Sequence, residues 1–416
     1  MRKQRIAIIG AGLRGDIYAN YALKHPHEVQ VVAVAEPNPS RRASFQKRHH
    51  IEDAHCHSDW RSLLDVPKLA DAVVICTQDQ MHLEPAMRAL EKDYHVLLEK
   101  PMSTTAEACI LLGEQADKWN KVFSICHVLR YTPFFSLLKS MLDRGKIGRL
   151  ISIQHNENVG YWHQAHSFVR GNWRNTKESS PMILAKSCHD LDILLWLAGA
   201  DCVNIASFGA LTHFKAENAP AGAPLRCLDG CPVSDECPYY APRQYLTANT
   251  EWPTAAICED MSYEARYKAL QEGPYGRCVY HCDNDVVDHQ VVNMEFANEV
   301  TAAFTMTGFT NDCSRTLKLM GTKGEIRASM EKNEIEITYF GSGMQELIRL
   351  GTAQGHVGHG GGDDGLMRDF VKLIAQDTAH TGKTAASHAV QSHLMAFAAE
   401  QSRLERRVIH LPVFMT

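Results

Sequence analysis

The stretch Ile6-Ala7-Ile8-Ile9-Gly10-Ala11-Gly12-Leu13-Arg14-Gly15 decides the fold of this 416-residue chain. A β-branched apolar run ends in a G-x-G-x-x-G turn, and Ala19, Ala22 and Leu23 follow at helical spacing. Gly10 permits the tight turn, Gly12 lets the backbone approach a pyrophosphate, and Gly15 lets helix and strand pack closely. The helix then points its first N–H groups at the phosphates. A second apolar strand, residues 29–35, ends at Glu36, placed to accept hydrogen bonds from an adenosine ribose. Strand, turn, helix and acid together separate this stretch from an ordinary glycine-rich turn. A carboxylate at Glu36 repels a 2′-phosphate, which favours NAD over NADP, while Arg41 and Arg42 just beyond it soften that preference.

Composition narrows the class. With 45% hydrophobic and 22% charged residues the chain is an ordinary globular one, long enough for two domains. A formal charge of −5 gives no support for nucleic-acid binding. No apolar run approaches the roughly 20 residues that span a bilayer, so no membrane partner is expected. The first strand begins at Ile6 and leaves no room for a signal peptide, so the expected location is cytoplasmic. There the 13 cysteines are expected as reduced thiols or metal ligands.

Strand and helix signals alternate through residues 1–127: helices at 40–50, 59–64, 81–92 and 104–119, strands at 70–77, 94–98 and 122–126. That alternation predicts a doubly wound parallel sheet, an N-terminal Rossmann domain. From residue 128 the pattern changes. A helix at 133–143, a strand at 150–155, a polar aromatic loop and a helix at 189–197 precede a cysteine-rich insertion at about 215–285. Strand-like runs at 286–296, 300–306, 316–320, 324–329 and 334–340 then predict a large, mostly antiparallel open sheet. Helices at 363–375 and 386–404 end this second α/β domain, 128–416.

Glu99-Lys100-Pro101 follows an apolar strand, at the carboxyl edge where ligands bind in such sheets. A lysine there stabilises an alkoxide as its proton leaves, and Pro101 is a candidate for a cis peptide bond. His189, in Lys186-Ser187-Cys188-His189-Asp190-Leu191-Asp192 ahead of an apolar helix, tends toward the neutral imidazole that accepts a hydroxyl proton. The bland alternative makes His189 and Asp190 capping and packing groups.

The chain resembles the glucose–fructose oxidoreductase / inositol dehydrogenase (Gfo/Idh/MocA) family over nearly its whole length. The resemblance rests on Gly10 to Gly15, on His82 after Thr77-Gln78, and on His95-Val96-Leu97-Leu98-Glu99-Lys100-Pro101. It continues in Arg130 before Pro133, Gly145-Lys146-Ile147-Gly148, and His189 with Asp192 before Trp196-Leu197. It implies hydride transfer between a nicotinamide and a sugar or cyclitol carbon, with Lys100 and His189 as the catalytic pair. Gly10, Gly12, Leu13, Arg14, Gly15, Glu36, Thr77, Gln78, His82, Glu99 and Lys100 are the expected cofactor contacts, and Arg130 and Asp190 join the substrate contacts. A homo-oligomer, dimer or tetramer, is implied as well. The family often carries a carboxylate four residues before the histidine, where this chain has Ala185 with Lys186 beside it. Lys186 turned into the site would lower the histidine pKa and favour an anionic or strongly polar substrate.

Two polar segments are expected to shape the substrate pocket. Tyr161, Trp162, His163, His166, Arg170 and Trp173 combine flat rings with donors, which suits carbohydrate. In Gly355-His356-Val357-Gly358-His359-Gly360-Gly361-Gly362-Asp363-Asp364, His359 is the pocket candidate and Asp363 or Asp364 is a candidate helix cap.

The insertion crowds Cys227, Cys231, Cys237, Cys258, Cys278 and Cys282 into a segment with few apolar residues. A structural zinc on Cys227, Cys231, Cys237 and Cys282 would stabilise it; the alternative is thiols packed as small hydrophobes. Three functions remain open. The first is an NAD-dependent dehydrogenase of a sugar, sugar derivative or cyclitol. The second is a glycoside hydrolase that recycles NAD through transient ring oxidation, with His163, His166, Tyr239, Tyr240 and Tyr245 in extra acid–base steps. The third is a non-catalytic nucleotide sensor, against which the joint presence of Lys100 and His189 stands.

Overall fold

A computed structural model describes residues 2–351, 358–379 and 381–411. Strands β1 (Gln4–Ile9), β2 (Val29–Ala35), β3 (Cys56–His57), β4 (Ala72–Ile75), β5 (His95–Leu98) and β6 (Phe123–Ile125) form one parallel sheet. Their order is β3-β2-β1-β4-β5-β6, so the chain switches direction across the sheet between β1 and β4, where doubly wound sheets open a ligand crevice. Helices Leu13–Lys24, Pro39–His49, Trp60–Asp65, Leu83–Glu91 and Ala106–Lys118 alternate with them. Local chemistry sets several helix starts: the Asn38, Asp59 and Thr105 side chains accept hydrogen bonds from the first turns of their helices.

The second sheet joins β7 (Leu150–Asn158), β8 (Cys202–Ala210), β9 (His289–Phe296), β10 (Thr301–Thr307), β11 (Ser314–Gly321), β12 (Gly324–Ser329), β13 (Glu334–Tyr339), β14 (Gln345–Arg349) and β15 (Ile409–His410). Their order is β14-β13-β12-β11-β7-β10-β9-β8-β15, antiparallel throughout except for β7 beside β10. Helices Pro133–Asp143, Cys188–Ala198 and Ala386–Glu405 cover its inner face. The mostly antiparallel sheet is thus as the alternating runs imply. Two of its strands carry a weaker signal. A register shift between Cys202 and Asn204 breaks the alternation of β8, and β14 is a short, charged edge strand. Residues 161–170, expected as loop, form a helical turn Tyr161–His163 running into a π-type turn Gln164–Arg170, all seven of whose residues are buried. The insertion packs over this segment, and that burial is invisible locally.

The C-terminal helices tie the two sheets together. Gly362–Gln376 lays Leu366, Met367, Phe370 and Val371 on one face of the nucleotide sheet. Ala386–Glu405 joins the core on that sheet's other face through Ala386 and Ala389, and the second core through Leu394, Met395 and Ala399.

His393, fully buried on this last helix, accepts a hydrogen bond at Nε2 from Met102 N (3.0 Å) and lies 2.8 Å from Ala389 O through Nδ1. It is therefore the neutral tautomer with its proton on Nδ1. Burial, then the neighbouring His127, pushes its pKa down to about 3. An unfolded histidine takes up a proton near pH 6.5, so between the two values the unfolded state holds more protons and stability falls as pH drops. His393→Gln is expected to flatten urea-unfolding free energy between pH 6.5 and 5 by up to about 1.4 kcal/mol per pH unit relative to wild type. Parallel curves for the two proteins would place the acid sensitivity elsewhere.

Candidate active site

Gly10 has φ +88°, and a Cβ there would sit 2.6 Å from Cys76 O; a Cβ on Gly15 would meet Gly10 O at 2.0 Å. Both positions are closed to any side chain by backbone. Gly12 differs: the nearest atom to its virtual Cβ is Arg41 Nη1 at 3.9 Å, so open space lies over the turn. No side chain caps the helix that begins at Leu13, and that residue is exposed at its start. An open glycine and an uncapped helix N-terminus fit a pyrophosphate. At the end of β2, buried Glu36 accepts hydrogen bonds from Ala11 N (2.9 Å) and Asn38 N (3.0 Å). Each carboxylate oxygen keeps a lone pair for a ribose hydroxyl. The residues present fit a dinucleotide.

The next two strand ends are clamped together. Buried His82 lies 2.7 Å from Pro101 O through Nδ1 and 3.2 Å from Thr77 O through Nε2. Thr77 Oγ1 donates to Met81 O, and Gln78 is exposed at the turn. The Lys100–Pro101 peptide is cis. Buried Glu99 accepts from Arg14 Nε (2.5 Å), Tyr18 OH (2.8 Å) and Lys100 N (2.7 Å). Burial alone raises its pKa, but Arg14 and Lys100 more than offset this and hold it below the usual range. Arg14 also reaches Asp363 Oδ1 at 2.6 Å and so fastens the glycine turn to the helix that starts at Gly362.

Lys100 Nζ donates to Ala185 O at 2.7 Å. The position that lacks the family's carboxylate thus still holds the lysine, through its backbone, and leaves two N–H donors for an incoming oxygen. His189 is buried beside it, with Nδ1 enclosed and unpartnered among the described residues. Burial, then Lys100, His359, His127 and Arg315, keep its pKa well below the ordinary histidine value, so the ring is neutral at pH 7. His127 is a residue the sequence did not flag. Both its nitrogens are buried with no hydrogen-bond partner among the described residues, its ring centroid is 6.0 Å from that of His189, and Asp192 lies 3.8 Å from its Nε2. His359 stands 5.7 Å from His189, ring to ring, with Nδ1 3.1 Å from Asp363 Oδ2. Gly355, His356 and Val357 of the same stretch lie outside the described residues.

A charged network backs the site. His155 and Glu157 occupy inward positions on β7, and Arg315 stands directly across from Glu157 on β11. Arg315 Nη2 is 2.7 Å from Glu157 Oε2 and its Nε is 2.9 Å from Asp190 Oδ1, which also lies 2.8 Å from His155 Nε2. Asp190 is fully buried and consumed by these contacts, so it positions the His189 helix instead of facing substrate. Lys186 pairs with Glu157 at 2.9 Å, and burial, then Lys186, lowers the pKa of His163. Lys186 is thus drawn to Glu157, and the two largest causes that lower the His189 pKa are burial and Lys100.

Other expected substrate contacts separate. Arg130 makes a bidentate pair with buried Asp192 (2.7 Å to each oxygen) and donates to Lys383 O. Arg170 has no exposure; it donates to Arg277 O (2.8 Å) and Tyr239 O (2.6 Å) inside the insertion. His166 pairs with Tyr245 OH at 2.8 Å, in the same interior. Tyr161, Trp162 and His163 remain half-buried, with Trp252 of the insertion packed against Trp162 and His163, and Trp173 stays partly exposed beside Phe168.

The zinc expectation is corrected too. Among the described residues no group of three or more His, Cys, Asp or Glu is arranged to hold a metal, and every cysteine is free. Cys227, Cys231, Cys237 and Cys278 gather around Arg170, whose Nη2 donates to Cys227 Sγ at 3.7 Å. A resident guanidinium opposes a second cation there, and the thiols pack with Tyr239, Ala241 and Tyr245 as small hydrophobes.

Two family models match the chain: an oxidoreductase NAD-binding Rossmann fold over residues 4–127 and an oxidoreductase C-terminal α/β domain over residues 139–411. The chain belongs to the Gfo/Idh/MocA oxidoreductase family. It is 25% identical over 365 residues to a putative oxidoreductase, YteT, of Bacillus subtilis, with 82% of each chain covered. It is 30% identical over 200 residues to inositol 2-dehydrogenase 2 of Saccharopolyspora erythraea, 48% of this chain and 55% of that one. Levoglucosan dehydrogenase in complex with NADH and levoglucosan shares the fold, with a TM-score of 0.74 at 20% identity over 99% of this chain and 100% of that one.

Proposed function

We propose that this oxidoreductase is an NAD-dependent dehydrogenase acting on a hydroxyl-bearing carbon of a sugar, sugar derivative or cyclitol. The observation that carries it is a neutral, buried His189 beside Lys100 at the carboxyl edge of the nucleotide sheet. A bound nicotinamide supplies the hydride acceptor. Lys100 Nζ, steadied on Ala185 O, offers its remaining donors to the substrate oxygen and stabilises the charge that grows there. His189 takes the hydroxyl proton at Nε2, since Nδ1 is enclosed. Tyr161, Trp162 and His163 form a ring-lined wall that suits the CH face of a sugar or cyclitol.

Of the residues the NAD-recycling hydrolase draws on for its extra proton steps, His166, Tyr239 and Tyr245 are buried where the insertion packs on residues 164–170, while His163 and Tyr240 are half-buried. One assay separates the two activities. NAD is added with free sugars, inositols and aryl glycosides, and NADH absorbance and aglycone release are followed together. Growth of NADH on one substrate class is expected; aglycone release with flat NADH would transfer the chain to the hydrolases.

We also infer a cytoplasmic homo-oligomer, dimer or tetramer. Its support is the outer face of the second sheet, where Phe208 (62% exposed) lies opposite Val291 (38% exposed) on the neighbouring strand. No helix among the described residues is long and apolar enough to cross a membrane.

A further inference from the structure

The insertion reaches the opposite end of the nucleotide site from the chemistry. A cavity of about 250 Å³ beside the glycine turn is lined by Ala11, Asp16, Ser40, Arg41 and Arg48, and also by Glu259, which the insertion contributes. Glu259 Oε1 accepts a hydrogen bond from Asn38 Nδ2 at 3.0 Å, across 221 positions of sequence, and lies 4.0 Å from Arg41 Nη2. Arg41 Nη1 is 3.6 Å from Glu36 Oε1 and also the atom nearest the open side of Gly12. Seven positions before Glu259, Trp252 packs on Trp162 and His163. One short stretch of the insertion therefore runs from the aromatic wall to the adenosine end.

We propose that Glu259 is a specificity-determining residue of the nucleotide site, which disfavours a 2′-phosphate by neutralising Arg41. This rests on the cofactor assignment above and names a determinant outside the Rossmann segment. A 2′-phosphate brings up to two negative charges to the ribose and needs an unengaged cation beside it. Three guanidinium groups stand nearby. Arg48 is paired with Asp16, Arg42 donates to the Glu36 carbonyl, and Arg41 is held between Glu36 and Glu259. Against these cations the pocket sets three carboxylates, so it presents no surplus positive charge. Removing Glu259 leaves Arg41 with one acidic neighbour and a free edge facing the ribose.

The test is direct titration of NADH and NADPH, without substrate, into the full chain and its Glu259→Gln variant. Glu259 is more than half exposed, so the variant is not expected to disturb folding. NADPH is expected to bind about three- to fivefold more tightly to the variant, the change that loss of one solvent-screened opposing charge gives, while NADH shifts by less than about twofold. The gain should disappear when Arg41→Ala is added, because the two residues act as a coupled pair. An unchanged NADPH-to-NADH affinity ratio in Glu259→Gln, or equal tightening of both nucleotides, would overturn the proposal while leaving the cofactor assignment intact. Failure of the unaltered protein to bind either nucleotide would sink both.

Discussion

Lys100→Met is expected to lower turnover by about 10²- to 10⁴-fold, with NADH affinity changed no more than about threefold. In the proposed reaction the ammonium faces the reacting oxygen, and Lys100 Nζ donates a hydrogen bond to Ala185 O. Methionine keeps the length and packing of the side chain but offers no donor and no charge. The developing alkoxide then forms without an electrostatic partner in a site where burial excludes water, which is where such a partner is worth most. His189 also loses a neighbour that keeps it neutral, so its pKa should rise toward the ordinary histidine value. The apparent pKa of any residual activity should rise with it. Single-turnover kinetics with bound NAD separates the chemical step from binding. Retained turnover would remove Lys100 from the chemistry; a variant that loses only stability would favour a nucleotide-binding sensor.

Arg315→Met is expected to cost about 3–5 kcal/mol of unfolding free energy near pH 7, because it strips the cation from two buried carboxylates at once. Asp190 and Glu157 are almost wholly inaccessible, and Arg315 contacts both. Lys186 still serves Glu157, but among the described residues Asp190 retains only His155. The pH dependence gives a second signature. In the unaltered protein Arg315 and His155 outweigh burial and hold Asp190 well below its ordinary pKa. Its stabilising contribution is therefore present above about pH 4 and fades as pH falls further. Without Arg315, burial dominates and the folded pKa moves above the unfolded one. Stability should then rise as pH drops through that higher value toward 4, opposite in sign to the unaltered protein. Urea titrations of both proteins from pH 7 to 4 read the difference. A cost below about 1 kcal/mol, typical of a solvent-exposed pair, would show that the network is not insulated from water.

The parts of the site legible in the sequence are those whose function is imposed by the adjacent backbone. Gly15 is required by contacts within one strand–turn–helix unit and Gly10 by the positive φ of its turn, and Glu36 sits at a strand end whose apolar run is unmistakable. Lys100 and His189 were readable for a similar reason, since each follows or opens a strongly patterned element. His155, Glu157 and Arg315 left a fainter trace. They stand on the inward register of strands whose other inward residues include Ile153, Leu317 and Leu319, so alternation marks them as polar groups buried on purpose. Nothing local says which of them pair.

His166 and Arg170 show the opposite failure. Their residue types suit a carbohydrate pocket, yet they anchor the insertion, because Tyr245, Arg277 and Tyr239 arrive from 69 to 107 positions away. The cysteines failed in the same way, their spacing being silent about the guanidinium among them.

The amino-acid sequence by itself determined the nucleotide-binding half, its chemistry-bearing edge and the mostly antiparallel second sheet. Those features follow from backbone sterics and hydrophobic period, which act over a few residues. Only the tertiary structure decided which polar side chains reach the site and which are spent on holding it. Arg315 meets Asp190 across 125 positions, and Glu259 meets Asn38 across 221. Such pairings depend on the sum of every intervening turn and packing contact, a quantity that no local pattern encodes.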